Sequence, residues 1–216
     1  TNSTISWYDI GWKIMAANAS DIAAMGGIPL YALVTLGLPG TTPLQNVEQL
    51  YAGMLDMTQE HMFTIVGGDV VRSPVVFVTV CLTGITETEP MLRANAKLGD
   101  KIAIIGRVGS SAGGLRAIRE NLPIDRPVIK ELEMAHYRPA PLLVHGRTLS
   151  KHGIQSAIDI SDGLVGDLSK LCLASKVSAR LYTEALPFNP ILQELYPKDY
   201  LDLTLAGGED YALLFT

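Results

Sequence analysis

Asp159-Ile-Ser161-Asp162-Gly163-Leu-Val-Gly-Asp167 and Gly207-Gly208-Glu209-Asp210-Tyr211 set carboxylates beside glycines in two separate stretches, and Gly67-Gly68-Asp69 follows the apolar run Met62 to Val66. Mg²⁺ is commonly held by one or two carboxylates, with substrate phosphates and water completing its shell. Aspartates on separate glycine-flanked turns therefore suit a magnesium ion bridging the protein to a nucleotide. No Gly-x-x-x-x-Gly-Lys-Ser/Thr segment occurs, so ATP chemistry here would proceed without a Walker loop. The histidines His61, His136, His145 and His152 are scattered and form no metal pair. Neither a Gly-x-Ser-x-Gly motif nor a Cys-His pairing points to a covalent nucleophile.

The elements that must carry these groups follow from periodicity. Trp7 to Met25 has helical spacing, with Ile10, Ile14, Ala17, Ala24 and Met25 on one stripe. Asp21 falls in the middle of that stripe, with Asn18 on a neighbouring line. An unpaired buried carboxylate is costly, so Asp21 should face a cation, a helix terminus or a wet cleft; pairing with an Arg is the structural alternative. Pro29 to Leu38 reads as a strand and Leu44 to His61 as a helix. Thr64 to Val71 and Val75 to Gly84 read as a hairpin about Arg72-Ser73-Pro74. Gly67-Gly68-Asp69 interrupts its first strand, as a bulge or as a place where a ligand meets the backbone.

The polar stretch Thr86-Glu-Thr-Glu-Pro90 separates this half from a second, so the expected domains are 1–90 and 91–216. Lys97 to Gly106 is a turn feeding a buried strand. The glycine and serine loop from Gly106 to Gly114 then opens a helix and either cradles phosphate or serves as an ordinary turn. A proline-punctuated helical stretch covers Val128 to His152. Ile154 to Ile160 is a strand delivering Asp159, Ser161 and Asp162 to its end, where α/β proteins place ligands. Asp162 serves there either as a ligand or as the cap of the helix after Gly163. Tyr211 to Thr216 reads as a strand. The fold class expected is α+β for the first domain, a mainly antiparallel sheet with helices on one face, and α/β for the second.

With 216 residues, 48% of them hydrophobic and 18% charged, the chain can bury one large core or two modest ones. A net charge of -5 without a basic run argues against a nucleic-acid or anionic-membrane surface. Cys81 and Cys172 make neither a disulfide framework nor a zinc spacing, which together with the lack of a leader or a long apolar run suggests a cytoplasmic home. The ends, Thr1 and a final strand, read as those of a chain trimmed on both sides.

Taken in order, Asn18-Ala-Ser20-Asp21-Ile-Ala-Ala-Met25-Gly26, Gly67-Gly68-Asp69, Arg93-x-x-Ala96-Lys-x-Gly99-Asp100, Ser110-Ser-Ala-Gly-Gly-Leu115, Ala157-Ile-Asp159-Ile-Ser161-Asp162-Gly163-Leu164 and Gly207-Gly208-Glu209-Asp210-Tyr211 closely resemble the thiamine-monophosphate kinase family. The likeness spans nearly the whole chain. The wider superfamily includes aminoimidazole ribonucleotide synthetase, selenophosphate synthetase and a hydrogenase maturation factor. Such a sibling is one alternative reading, and a catalytically inactive nucleotide-binding scaffold is another.

The resemblance implies direct transfer of the ATP γ-phosphoryl group to thiamine monophosphate, giving thiamine diphosphate and ADP. By the same resemblance Asp21, Asp69, Asp159 and Asp162 would hold several Mg²⁺ ions. Gly68, Asp69, Arg93 and Ser161 would contact ATP, and Glu209 would touch the thiamine portion. A homodimer joined through the first domain's sheet is implied, with the site across domains near the dimer seam. The family's Gly-Asp-Asp and Ser-Thr-Asp segments do not occur before Trp7, and a tail supplying an aromatic wall does not follow Thr216. His61 stands where the family often has Tyr. This piece is accordingly expected to bind nucleotide weakly and to turn over slowly.

Overall fold

The computed structural model describes residues 5–123 and 127–216. Helix α1, Trp7–Ala24, begins at Ser6, whose hydroxyl accepts from the Asp9 N–H, and leads into strand β1, Gly27–Leu38. Helix α2, Leu44–Glu60, is followed by β2, Thr64–Arg72, and β3, Phe77–Thr86. Next come β4, Ala103–Ile105, α3, Ser110–Arg119, α4, Pro127–Tyr137, and α5, Leu143–Lys151. Strand β5, Ala157–Ile160, and helix α6, Leu164–Ser175, precede the short helices α7, Pro190–Leu195, and α8, Tyr200–Ala206. Strand β6 is Ala212–Phe215.

The expected hairpin does not form. The first sheet runs β2-β1-β3, with β1 parallel to β2 and antiparallel to β3. The Arg72-Ser73-Pro74 turn carries the chain past β1 instead, and the Ser73 N–H donates to the Leu38 carbonyl at 2.9 Å. The first sheet is therefore mixed rather than mainly antiparallel. The second sheet, β4-β6-β5, is antiparallel throughout, so α/β in the strict parallel sense does not describe it. The two sheets and their helices make a mixed α/β fold, with residues 87–102 running from β3 to β4. No helix among the described residues is long and apolar enough to cross a membrane. Cys81 and Cys172 are both free thiols.

One face of the first sheet, through Ala32, Val34 and Leu36, packs on Met15, Ala16, Leu50, Met54 and Met57. Completely burying side chains of this kind stabilises by roughly 1.5–3 kcal/mol each. The buried stripe of α1 is Gly11, Met15, Ala16, Ala19, Ser20, Ala23 and Ala24, one residue round from the expected one, and Met25 is exposed. Small side chains decide this: α1 turns its slim face inward because two helices cross it closely. A Cβ on Gly11 would lie 2.0 Å from the Leu50 carbonyl oxygen, and one on Gly53 would lie 1.9 Å from that of Tyr8. Gly53→Ala is expected to force α2 off α1 and lower stability by about 3 kcal/mol, seen as a lower urea midpoint at unchanged slope.

The second core gathers Val108, Ile158, Ile160, Leu164, Leu168, Leu171 and Leu214 about β6. A third cluster, Ala19, Ala23, Ala24, Leu143 and Leu213, joins α1 and α5 to β6 and so ties the two halves together. The carboxylates of α1 and β5 meet across this join.

Candidate active site

Asp159 leaves the buried strand β5 and accepts a hydrogen bond from the Ser20 hydroxyl of α1 at 2.8 Å. It lines a cavity of about 350 Å³ together with Asp21, Met25, Met91, Arg93, Ser161, Asp167 and Lys170. Burial pushes the Asp159 carboxyl up to about 6; the Ser20 bond opposes this, and the charges of Asp21 and Asp167 add to it. Asp21 is exposed on the cavity side of α1 rather than buried in a stripe. Desolvation raises its carboxyl above the ordinary value, and the Arg93 guanidinium pulls the other way. The site thus holds carboxylates that repel one another and an arginine whose charge does not depend on pH.

The turn after β5 is built by Asp167, a residue of the motif to which no role was given from sequence. Its Oδ2 accepts the backbone N–H groups of Ser161 at 2.9 Å and Asp162 at 2.8 Å, although the side chain is only 1% exposed. Its Oδ1 receives the Lys170 ammonium at 2.7 Å, and Lys170 also pairs with Asp162. Asp162 does not cap α6: the N-cap is Gly163, and no side chain bonds there. The i,i+3 spacing of Asp167 and Lys170 was the available signal for this pair.

The Gly207 to Tyr211 loop is strapped to the same turn, since the Glu209 N–H donates to the Ser161 carbonyl at 2.8 Å and the Tyr211 N–H to that of Ile160 at 2.9 Å. Glu209 and Tyr211 both take left-handed backbone conformations, at φ of 66° and 51°. Such conformations cost non-glycine residues of order 1–3 kcal/mol and gather at functional loops. Burial first, then the carboxylates of Glu209, Asp159, Asp21 and Asp162, hold the Tyr211 phenol far above its usual range, so it keeps its proton between these two sets of acids.

Asp210 occupies the N-terminus of α3, accepting from the N–H groups of Gly109 at 2.6 Å and Ser111 at 2.9 Å. The glycine and serine loop before α3 is therefore filled by the protein's own carboxylate, which overturns its reading as a phosphate cradle. The structure brings Asp21, Arg93, Asp159 and Ser161 to one cavity, with Asp162 on its rim through Lys170. Gly68 and Asp69 are elsewhere, on β2 opposite Val34 and Thr35. A Cβ on Gly68 would lie 1.8 Å from the Val34 carbonyl oxygen, so a side chain there would break the strand pairing. Asp69 stands with Leu33, Thr35 and Thr79 on the sheet face turned away from α1 and α2. His61 closes the C-terminus of α2.

Residues 1–86 match the model for the AIR synthase related protein, N-terminal domain. The chain is 35% identical over 211 residues to the thiamine-monophosphate kinase of Aquifex aeolicus, covering 96% of this chain and 68% of that protein. It belongs to the thiamine-monophosphate kinase family. The corresponding Bacillus subtilis kinase is 36% identical over 96% of this chain and 65% of its own length. The chain thus spans about two thirds of the length of these family members. A solved structure of AaThiL complexed with AMPPCP and TMP superposes with a TM-score of 0.93 at 34% identity, covering 99% of this chain and 69% of that one.

Among the described residues, no three His, Cys, Asp or Glu side chains form a group able to hold an ion unaided. Asp159 and Asp21 nevertheless offer a hard, carboxylate-only donor pair in one cavity, and burial with mutual repulsion makes a cation there favourable. That suits an ion which takes few protein ligands and fills its shell with phosphate and water.

Proposed function

We propose that this chain carries the phosphoryl-transfer machinery of a thiamine-monophosphate kinase, converting ATP and thiamine monophosphate to ADP and thiamine diphosphate with Mg²⁺. The observation that carries this reading is the whole-chain match to a kinase structure complexed with AMPPCP and TMP. Bound Mg²⁺ would neutralise charge between the nucleotide and acceptor phosphates. Asp159 and Asp21 present the carboxylates that would hold it, and Asp162 can join them when it exchanges Lys170 for the metal. Arg93 offers a donor fork to phosphate, and Ser161 adds a short polar side chain at the turn. Glu209 supplies an anion for the cationic thiamine portion. No side chain need act as a nucleophile, because positioning and charge neutralisation account for catalysis in this class.

The open face of the first sheet carries Tyr31, Leu33, Phe77 and Ile85, which are 54%, 48%, 41% and 54% exposed. An apolar face of this kind supports a homodimer in which two such sheets pack together. Asp69 shares that face, so its part in binding Mg·ATP, with Gly68, would be played at the dimer seam. The decisive test follows ADP release from Mg·ATP with and without thiamine monophosphate. ADP that appears only with the acceptor supports the assignment; ADP independent of it, or dependent on another acceptor, refutes it.

A further inference from the structure

Lys13 lies on α1 eight residues before Asp21, about 12 Å along the helix axis, and its side chain is turned to the second half of the molecule. Its ammonium is 3.0 Å from Glu209 Oε2. His136 of α4 approaches the same oxygen, with Nδ1 at 3.6 Å, and its Nδ1 also pairs with the Ser111 hydroxyl at 2.9 Å. Lys13 Nζ is 3.4 Å from both ring nitrogens of His136, so the ammonium rests against the imidazole as well as the carboxylate.

Burial is uneven in this group. The Lys13 and His136 side chains are 14% and 11% exposed, whereas Glu209 is 44% exposed. A carboxylate so held has one oxygen fixed from behind, while the rest of the group stays open to solvent. Lys13 enters from α1, His136 from α4 and Ser111 from α3, so the anchor spans elements of both halves. A merely solvated surface Glu has no need of a nearly buried ammonium on one oxygen, backed by an imidazole. The left-handed Glu209 backbone also needs an outside hold to persist.

We infer that Lys13 is a positioning residue: resting against the His136 ring, its ammonium fixes Glu209 Oε2 and thereby aims Oε1 at a cationic or N–H-bearing ring of the acceptor. This rests on the thiamine-monophosphate reading above, with Glu209 as the group that touches the acceptor. Neither Lys13 nor His136 need touch substrate.

Steady-state constants for each substrate, measured on wild type, Lys13→Met, Lys13→Arg, Glu209→Gln and the Lys13→Met/Glu209→Gln double variant, test it. Lys13→Met is expected to raise KM for thiamine monophosphate about tenfold, with kcat and KM for ATP changed by less than about twofold. Lys13→Arg, which keeps the charge, should stay within about threefold of wild type. In the Glu209→Gln background the same Lys13→Met change should add less than about twofold, since the charge to be fixed is already gone. Equal losses in kcat and both KM values, an unmoved KM for thiamine monophosphate, or an undiminished effect in the Glu209→Gln background overturns the inference. Should Lys13→Met not fold, Lys13→Gln, which also removes the charge, decides in both backgrounds: an effect independent of Glu209 overturns it. A wild-type chain that never releases ADP in response to thiamine monophosphate refutes the functional reading itself. A wild type that does so, with variants failing as above, refutes only the positioning.

Discussion

Asp159→Asn is expected to lower thiamine-monophosphate-dependent ADP release by on the order of 10³-fold while leaving the metal-free protein at least as stable as wild type. On the metal role proposed for Asp159 the two effects separate: the carboxylate is costly to bury without a cation and would be needed with one. In the folded chain the Asp159 carboxyl is raised from 3.8 to about 6, chiefly by burial. Between those values the native state holds a proton that the unfolded state has released, so this group's contribution favours the fold at low pH and is lost as pH rises through about 6. Asn keeps a hydrogen-bonding partner for Ser20 without the charge. Thermal unfolding without Mg²⁺ should therefore show Asn equal or superior above pH 6, with the difference shrinking toward pH 4. Added Mg·ATP should raise the wild-type midpoint and leave that of the variant unmoved. A variant that loses stability at pH 7 and activity together would mean that Asp159 matters for folding alone.

Gly146→Val is expected to cost about 3 kcal/mol or more and to weaken Mg·AMPPCP binding about tenfold, though residue 146 does not line the cavity. A Cβ at Gly146 of α5 would stand 2.0 Å from the Ala23 carbonyl oxygen of α1. Backbone cannot yield as a flexible side chain can, so α1 and α5 must separate. Ala23 is one turn after Ser20, whose hydroxyl holds Asp159, and two residues after Asp21. Moving α1 there pulls two of the cavity's acids apart. Gly166→Ala is the control: on the exposed face of α6 the added methyl meets only the Asp162 Cβ at 3.9 Å, so stability should rise by roughly 0.5–1 kcal/mol. Urea titration and calorimetric binding measure both, and unchanged binding in Gly146→Val would show that the cavity does not depend on this crossing.

The helices were legible in sequence because their signals are local. Ser6 caps α1 where the periodic pattern starts, and α1, α2 and α6 fall within a few residues of expectation. Partners of strands were not legible. Two apolar runs about a short turn look like a hairpin, whereas β2 and β3 each find β1, a choice set by the packing of the whole layer. The cavity formed by Asp21, Arg93, Asp159 and Ser161 was legible from glycine-flanked acids and family motifs. Lys13 and His136 were passed over because a contact between distant segments leaves no spacing to read, whereas Asp167 and Lys170 were missed although their i,i+3 spacing was there to be read.

The antiparallel β4-β6-β5 sheet has a central strand that follows both of its neighbours in the chain, with Ala103 and Ala157 both waiting on Phe215. On a ribosome, then, Asp159 is synthesised well before the strand that holds it in place. The emerging chain can fold its first sheet early, while β4 and β5 remain unpaired edges until Ala212–Phe215 clears the exit tunnel. Assembly of the acidic cavity thereby waits on β6, and slow passage through this interval exposes the apolar strand Ala157–Ile160 to aggregation.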